Sequence, residues 1–136
     1  MTIINAYLNF DGTTKQAMEF YRQVFGGELY LQTFEEAFAD SPEEVKDRII
    51  HANLRNDSLT FMASDTHPQY SPPHKLGNNV SLSINGTDRE TLTRYFEQLA
   101  EGGEITMPLE EQFWGDINGM LVDQFGIHWM VNVQKG

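Results

Sequence analysis

The chain of 136 residues carries 20 acidic against nine basic side chains, a net charge of −11, and 40% of it is apolar. That length and apolar share suit one domain with a core of its own, and an acidic excess without any Lys/Arg cluster excludes nucleic acid and an anionic membrane as partners. With no cysteine present, a disulfide framework and thiolate catalysis are excluded as well.

Met1 to Asn5 supply neither the basic start nor the apolar middle of a signal peptide, and no apolar run approaches the roughly 20 residues of a membrane span. A cytoplasmic protein of bacterial type is expected. Ile3 to Phe10 alternate apolar and polar positions as a half-buried strand does, and Asp11-Gly12 ends it. Thr13 followed by Gln16 reads as a capping box, and Ala17, Phe20, Tyr21 and Val24 fall at helical spacing. Gly26-Gly27 suits the helix end. Glu28 to Phe34 reads as a strand. The acidic stretch Glu35 to Asp47, with Ser41-Pro42 as a helix start, reads as an insertion forming a short helix or flap. Ile49 to Arg55 and Ser58 to Ser64 read as two further strands, and the proline-rich segment Thr66 to Lys75 as a linker that can act as a lid.

The second half repeats the first. Leu82-Ser83-Ile84-Asn85-Gly86-Thr87 answers Leu8-Asn9-Phe10-Asp11-Gly12-Thr13, with Leu82 74 residues after Leu8. Thr87 to Glu90 reads as another capping box, Tyr95-Phe96 stands for Phe20-Tyr21, and Gly102-Gly103-Glu104 copies Gly26-Gly27-Glu28. Strands are expected over Asn118 to Asp123 and Ile127 to Val133. Shared turn, cap, aromatic pair and glycine pair make two β-α-β-β-β units, about 1–65 and 78–136, with the linker 66–77 between them. The fold class is α+β: two repeats whose paired, curved, mixed sheets enclose a cavity within a single domain over 1–136.

The segments Tyr7-Leu8-x-Phe10-Asp11-Gly12, Phe20-Tyr21, Phe25-Gly26-Gly27, His51-Ala52-x-Leu54, Met62-Ala63-Ser64-Asp65, Phe113-Trp114-Gly115 and Asp123-Gln124-Phe125-Gly126-x-x-Trp129 carry a resemblance. Together they resemble the PhnB-like branch of the vicinal oxygen chelate superfamily, which includes glyoxalase I, bleomycin- and fosfomycin-resistance proteins and extradiol dioxygenases. The resemblance spans essentially the whole chain. Members of the branch are also labelled demethylubiquinone methyltransferases, but the chain has no glycine-rich nucleotide motif for S-adenosylmethionine.

The resemblance implies where a metal would sit, since metal-dependent members place one His, Glu or Gln on each of four strands. Counted from the turns, those positions fall at Asn5, Asn79, Phe61 and Met130. A catalytic divalent ion needs about three imidazole or carboxylate donors, so neither a metal nor another cofactor is expected. The expected ligand-binding set is Asn5, Tyr7, His51, Phe61, Asn79 and Met130, with Trp114 and Asp116 at the rim. Strand parity turns His51 toward the cavity, as a general base or as a satisfied structural histidine. His67 and His74 are expected to be solvated, and His128 to lie at the surface.

Three readings follow. The first is a metal-independent protein that binds an unidentified small organic molecule. The second is a glyoxalase-type lyase or isomerase, or another small-molecule enzyme, that pairs His51 with the carboxylate of Asp116 or Asp65. The third is an oligomeric partner-binding module that uses its tryptophan loop. The resemblance also implies a homodimer.

Overall fold

The computed structural model describes residues 1–135 and contains two compact units, Met1–Lys75 and the chain from Leu76 onward. The first runs β1 (Ala6–Phe10), α1 (Thr14–Phe25), β2 (Glu28–Thr33), α2 (Phe34–Ala37), β3 (Ile49–Arg55) and β4 (Thr60–Asp65). The second runs β5 (Leu82–Gly86), α3 (Arg89–Leu99), β6 (Glu104–Glu111), β7 (Ile117–Val122) and β8 (His128–Val133). Each unit holds an open four-stranded mixed sheet, ordered β1-β4-β3-β2 in the first and β5-β8-β7-β6 in the second. The first and last strands of each unit pair in parallel and the remaining pairs are antiparallel. The α+β class and the doubled β-α-β-β-β pattern are therefore as expected, with α2 added inside the first copy.

The core of each unit is one sheet face under one helix. Along α1, Ala17, Met18, Tyr21, Val24 and Phe25 are buried, the i, i+1, i+4, i+7, i+8 stripe of an amphipathic helix. On the sheet, Leu8, Phe10, Ala52, Leu54, Phe61 and Ala63 are buried, and α1 packs on β3 and β4. The Phe61 ring stands edge-on to Tyr21 at 5.5 Å and to Phe25 at 6.2 Å. Leu92, Phe96 and Leu99 of α3 cover Leu121, Trp129, Val131 and Val133 in the same way.

The glycine pairs occupy equivalent places. A Cβ on Gly27 would lie 2.6 Å from the Arg55 carbonyl oxygen, and one on Gly103 would lie 2.3 Å from that of Val122. In both units, then, the strand after the helix starts hard against the end of its antiparallel neighbour, a contact only glycine permits.

Both predicted capping boxes are corrected. The Thr13 side chain makes no cap bond to α1. Buried Asp65 takes over that end of the helix: its Oδ1 accepts from Gly12 N (2.9 Å), Thr14 N (3.0 Å) and Thr14 Oγ1 (2.7 Å), and its Oδ2 from Ile49 N (2.8 Å). An ionised carboxylate is the stronger acceptor, and it reaches four donors that a threonine hydroxyl cannot. In α3 the cap moves on by one residue, to Asp88, which accepts from Thr91 N and Thr91 Oγ1. The Thr91 hydroxyl, ahead of its backbone amide, holds the Asp88 carboxyl below the usual carboxylate range.

The insertion is also corrected. Its helix is α2, capped by Thr33 and Glu36, whose side chains each accept the other's backbone N–H. The Thr33 N–H, followed by the Thr33 hydroxyl, holds the Glu36 carboxyl below its ordinary range. Ser41-Pro42 opens only a turn, closed by Val45 N and Lys46 N on the Pro42 carbonyl and anchored by buried Val45.

Candidate functional site

The face of each sheet opposite its helix carries the side chains with chemistry to offer. In the first unit that face holds Tyr7 and Asn9 from β1, His51 and Asn53 from β3, and Met62 and Ser64 from β4, as the alternation in β1 and the pairings Tyr7↔Met62, Asn9↔Ser64 and Asn53↔Met62 require. Tyr7 is 43% exposed, and its hydroxyl lies 3.2 Å from His51 Nδ1 across two strands. With the imidazole proton on Nε2 the hydroxyl donates to Nδ1, and with the proton on Nδ1 it accepts. In either state one ring nitrogen, Nε2, stays available to a ligand.

In the second unit the corresponding face has two rows. Ser83, Met130, Met120 and Met107 stand in register across β5, β8, β7 and β6. Beside them stand Asn85, Asn132, Asn118 and Glu110. Asn132 Oδ1 is buried and has no hydrogen-bond partner among the described residues. A thioether row is soft and adaptable to shape, and the amide row supplies donors and acceptors at its edge. Met120 and Asn118 escaped the sequence reading, although alternation against Gly119 and Leu121 in β7 carried the signal.

The expected site residues are distributed as follows. Asn5 precedes β1 and Asn79 precedes β5, both exposed and outside the strands. Met130 lies half-buried on the face opposite Trp129. Phe61 and Asp65 are on the helix side of their sheet, so the expected place of Phe61 in the ligand-binding set is corrected: Met62 and Ser64 point away from α1, and Phe61 is core. Trp114 is 53% exposed on a loop closed by Gln112 N on the Asp116 carbonyl (2.9 Å) and packs edge-on against Phe113, at 4.9 Å and 88°. Asp116 is half-buried in that loop. Trp129, by contrast, is core, with its indole N–H donating to Asp123 Oδ2 at 2.9 Å.

His51 has Tyr7 as its one hydrogen-bond partner among the described residues, and Asp65 is spent on backbone amides and Thr14. The pairing of His51 with the Asp65 carboxylate is therefore corrected. His67 is corrected too: it is 8% exposed, its ring between Phe34 at 5.2 Å and Tyr70 at 4.8 Å. His74 is held by Nε2 on the Asn9 carbonyl at 3.1 Å.

The donors for a metal do not converge. Among the described residues, no three His, Asp or Glu side chains are grouped so as to hold an ion. At the positions that the resemblance points to stand two exposed amides, a core phenyl ring and a thioether, a donor set unsuited to a hard or borderline divalent ion.

The model of the family described as 3-demethylubiquinone-9 3-methyltransferase matches residues 2–132. The chain belongs to that family. Among its relatives, protein YjdN of Escherichia coli (strain K12) is 29% identical over 146 residues, covering 97% of this chain and 95% of YjdN. The crystal structure of PA1353 from Pseudomonas aeruginosa is 38% identical, with a TM-score of 0.85 over the whole of both chains. A PhnB protein from Bacillus cereus, described under the same methyltransferase name, is 24% identical and superimposes with a TM-score of 0.78 over 98% of this chain and 100% of its own. The same fold is found in solved glyoxalase/bleomycin resistance proteins. At 19% and 14% identity, that likeness is one of fold.

Proposed function

We propose that this PhnB-like protein binds a small organic molecule, without a resident metal, against the sheet faces opposite its helices, and that residues 1–136 act as one domain. The observation that carries the reading is the composition of those faces: a Tyr7–His51 pair in one unit, and a methionine row edged by amides in the other, with no convergent set of metal donors among the described residues. Such surfaces suit a ligand with an apolar body and a few polar groups. In this reading Tyr7 and His51 are contacts on the face of the first unit and Met130 on that of the second; Trp114 and Asp116, on an exposed loop of the second unit, are contacts at the rim of its face.

The test is a titration with small aromatic acids, amides and quinones, followed on protein labelled with 13C at the methionine methyls. A ligand of this site shifts Met62, Met120 or Met130 and leaves Met18 unmoved, because Met18 is fully buried under α1. His51→Gln then weakens that ligand about tenfold, the worth of one hydrogen bond to a polar group. Shifts confined to other methyls, or an unchanged affinity in the variant, count against the reading.

The second reading, an acid–base enzyme, is favoured by the Tyr7 hydroxyl on His51 Nδ1, which fixes the ring and leaves Nε2 to reach a substrate proton. In that version Tyr7 takes the orienting place that the sequence reading gave to a carboxylate.

The same proposal includes a cytoplasmic homodimer; no helix among the described residues is long and apolar enough to cross a membrane. Exposed Phe113 and Trp114 are the apolar surface offered for the contact. Light scattering at micromolar concentration is expected to give about twice the chain mass of 15.6 kDa, and a single-chain mass overturns the dimer.

A further inference from the structure

Away from the sheet faces, the first unit contains a pocket of about 340 Å³ beneath the segment that follows β4. Its charged and polar lining comes from Asp11, Arg48, Thr66, His67, Ser71 and His74, and Pro68, Pro72 and Pro73 supply the remaining wall. Three prolines give ring surface without N–H groups and hold the segment stiff. The volume lies at the lower end of the roughly 300–1,000 Å³ of small-molecule sites.

The polar groups leave donors over. Asp11 Oδ1 is committed to Arg48 Nη1 (2.9 Å) and the Thr66 hydroxyl (2.9 Å), and Arg48 Nη1 also reaches the Thr66 carbonyl (3.0 Å). The Arg48 guanidinium, followed by the Thr66 hydroxyl, accordingly holds the Asp11 carboxyl below its ordinary range. His67, more than nine-tenths buried, accepts the Gln69 backbone N–H at Nδ1 (3.1 Å). Its proton is thereby assigned to Nε2, and that N–H has no partner among the described residues. The Ser71 hydroxyl accepts from His67 N, so its own proton is free to be donated.

The remaining valence of the pocket is therefore that of a donor site. Arg48 and two imidazoles face one carboxylate that is already paired, in a chain otherwise strongly acidic. Among the described residues, no three His, Asp or Glu side chains are grouped to take a cation. From these features we infer a second binding site, distinct from the sheet faces, for a compact organic carboxylate. The carboxylate accepts from the His67 Nε2–H and the Ser71 hydroxyl in the field of Arg48, and its apolar body lies on the proline wall.

Benzoate, benzamide and inorganic phosphate serve as probes, followed through the imidazole 1H–13C resonances of the four histidines. Benzoate is expected to saturate with shifts at His67 and His74 while His51 and His128 stay still, and uncharged benzamide of the same shape is expected to produce none. His67→Phe keeps an aromatic ring between Phe34 and Tyr70 but removes the donor, and is expected to weaken benzoate at least tenfold, read from His74. Benzamide binding as well as benzoate, shifts confined to His51 or His128, or an unchanged affinity in His67→Phe overturns the site. Phosphate competing with benzoate at equal affinity overturns the organic part of the assignment. The wild-type comparison of benzoate with benzamide decides the matter even where the variant does not fold.

Discussion

Replacing Asp65 with Ala is expected to cost about 4 kcal/mol of stability, the largest effect of any polar substitution in the first unit. Its two oxygens accept from three backbone N–H groups and one hydroxyl, and three of those four bonds are fully buried. A buried donor left without a partner costs about 1–3 kcal/mol, and relaxation of the Asp11-Gly12 turn into water recovers part of the sum. Asp65→Asn, which keeps the shape and one acceptor oxygen, is expected to lose about half as much. Urea unfolding midpoints at constant slope measure both. A loss below about 1 kcal/mol for the alanine variant would show that the carboxylate does not hold the helix start to the sheet.

The second large effect is at the glycine pairs. Gly103→Ala is expected to destabilise by about 3 kcal/mol, because the added methyl meets the Val122 carbonyl oxygen at 2.3 Å and the Asp123 Cα at 2.9 Å. Both are backbone atoms, so relief requires opening the Glu104↔Val122 end of β6 and β7. Gly27→Ala is expected to behave alike, against Arg55. Gly77→Ala, where the nearest atom is the end of the Asn79 side chain at 3.4 Å, is expected to stay within about 0.5 kcal/mol of the parent. Equal melting temperatures for all three variants would remove the structural reason for the repeated glycines.

These two positions mark what was legible in the sequence. Gly26-Gly27 and Gly102-Gly103 announce themselves locally, as do the helical stripes and the alternation in β1, β3 and β8, because periodicity and turn chemistry act between near neighbours. The repeat and the fold class follow from them. Asp65 acts on amides 16 to 53 residues away, so nothing beside it in the chain signals that it replaces the Thr13 cap. In β4 both parities carry apolar side chains, Phe61 and Ala63 on one and Met62 on the other. Alternation alone could not choose the face; the aromatic pocket formed by Tyr21 and Phe25 does.

The candidate site was legible in part for the same reason. Tyr7 and His51 share a face by simple parity, but their hydrogen bond crosses from β1 to β3 over β4 and depends on the sheet order. The placement of Asn5 and Asn79 failed because both strands start later than the alternation does, at Ala6 and Leu82. His67 was expected in water because its neighbours are prolines. Phe34 and Tyr70, the rings that enclose it, come from the start of α2 and from the linker itself.

The central claim is that this PhnB-like protein presents a ligand surface that works without a metal. The most direct test is metal analysis of protein prepared without chelator, with thermal unfolding followed as Zn, Ni, Mn and Fe are added back one at a time. The account predicts substoichiometric metal and melting temperatures unchanged within error, since a specific ion at a hundred times its Kd would stabilise by about 2.7 kcal/mol. One equivalent of bound metal, or a rise of several degrees with a single ion, would contradict it.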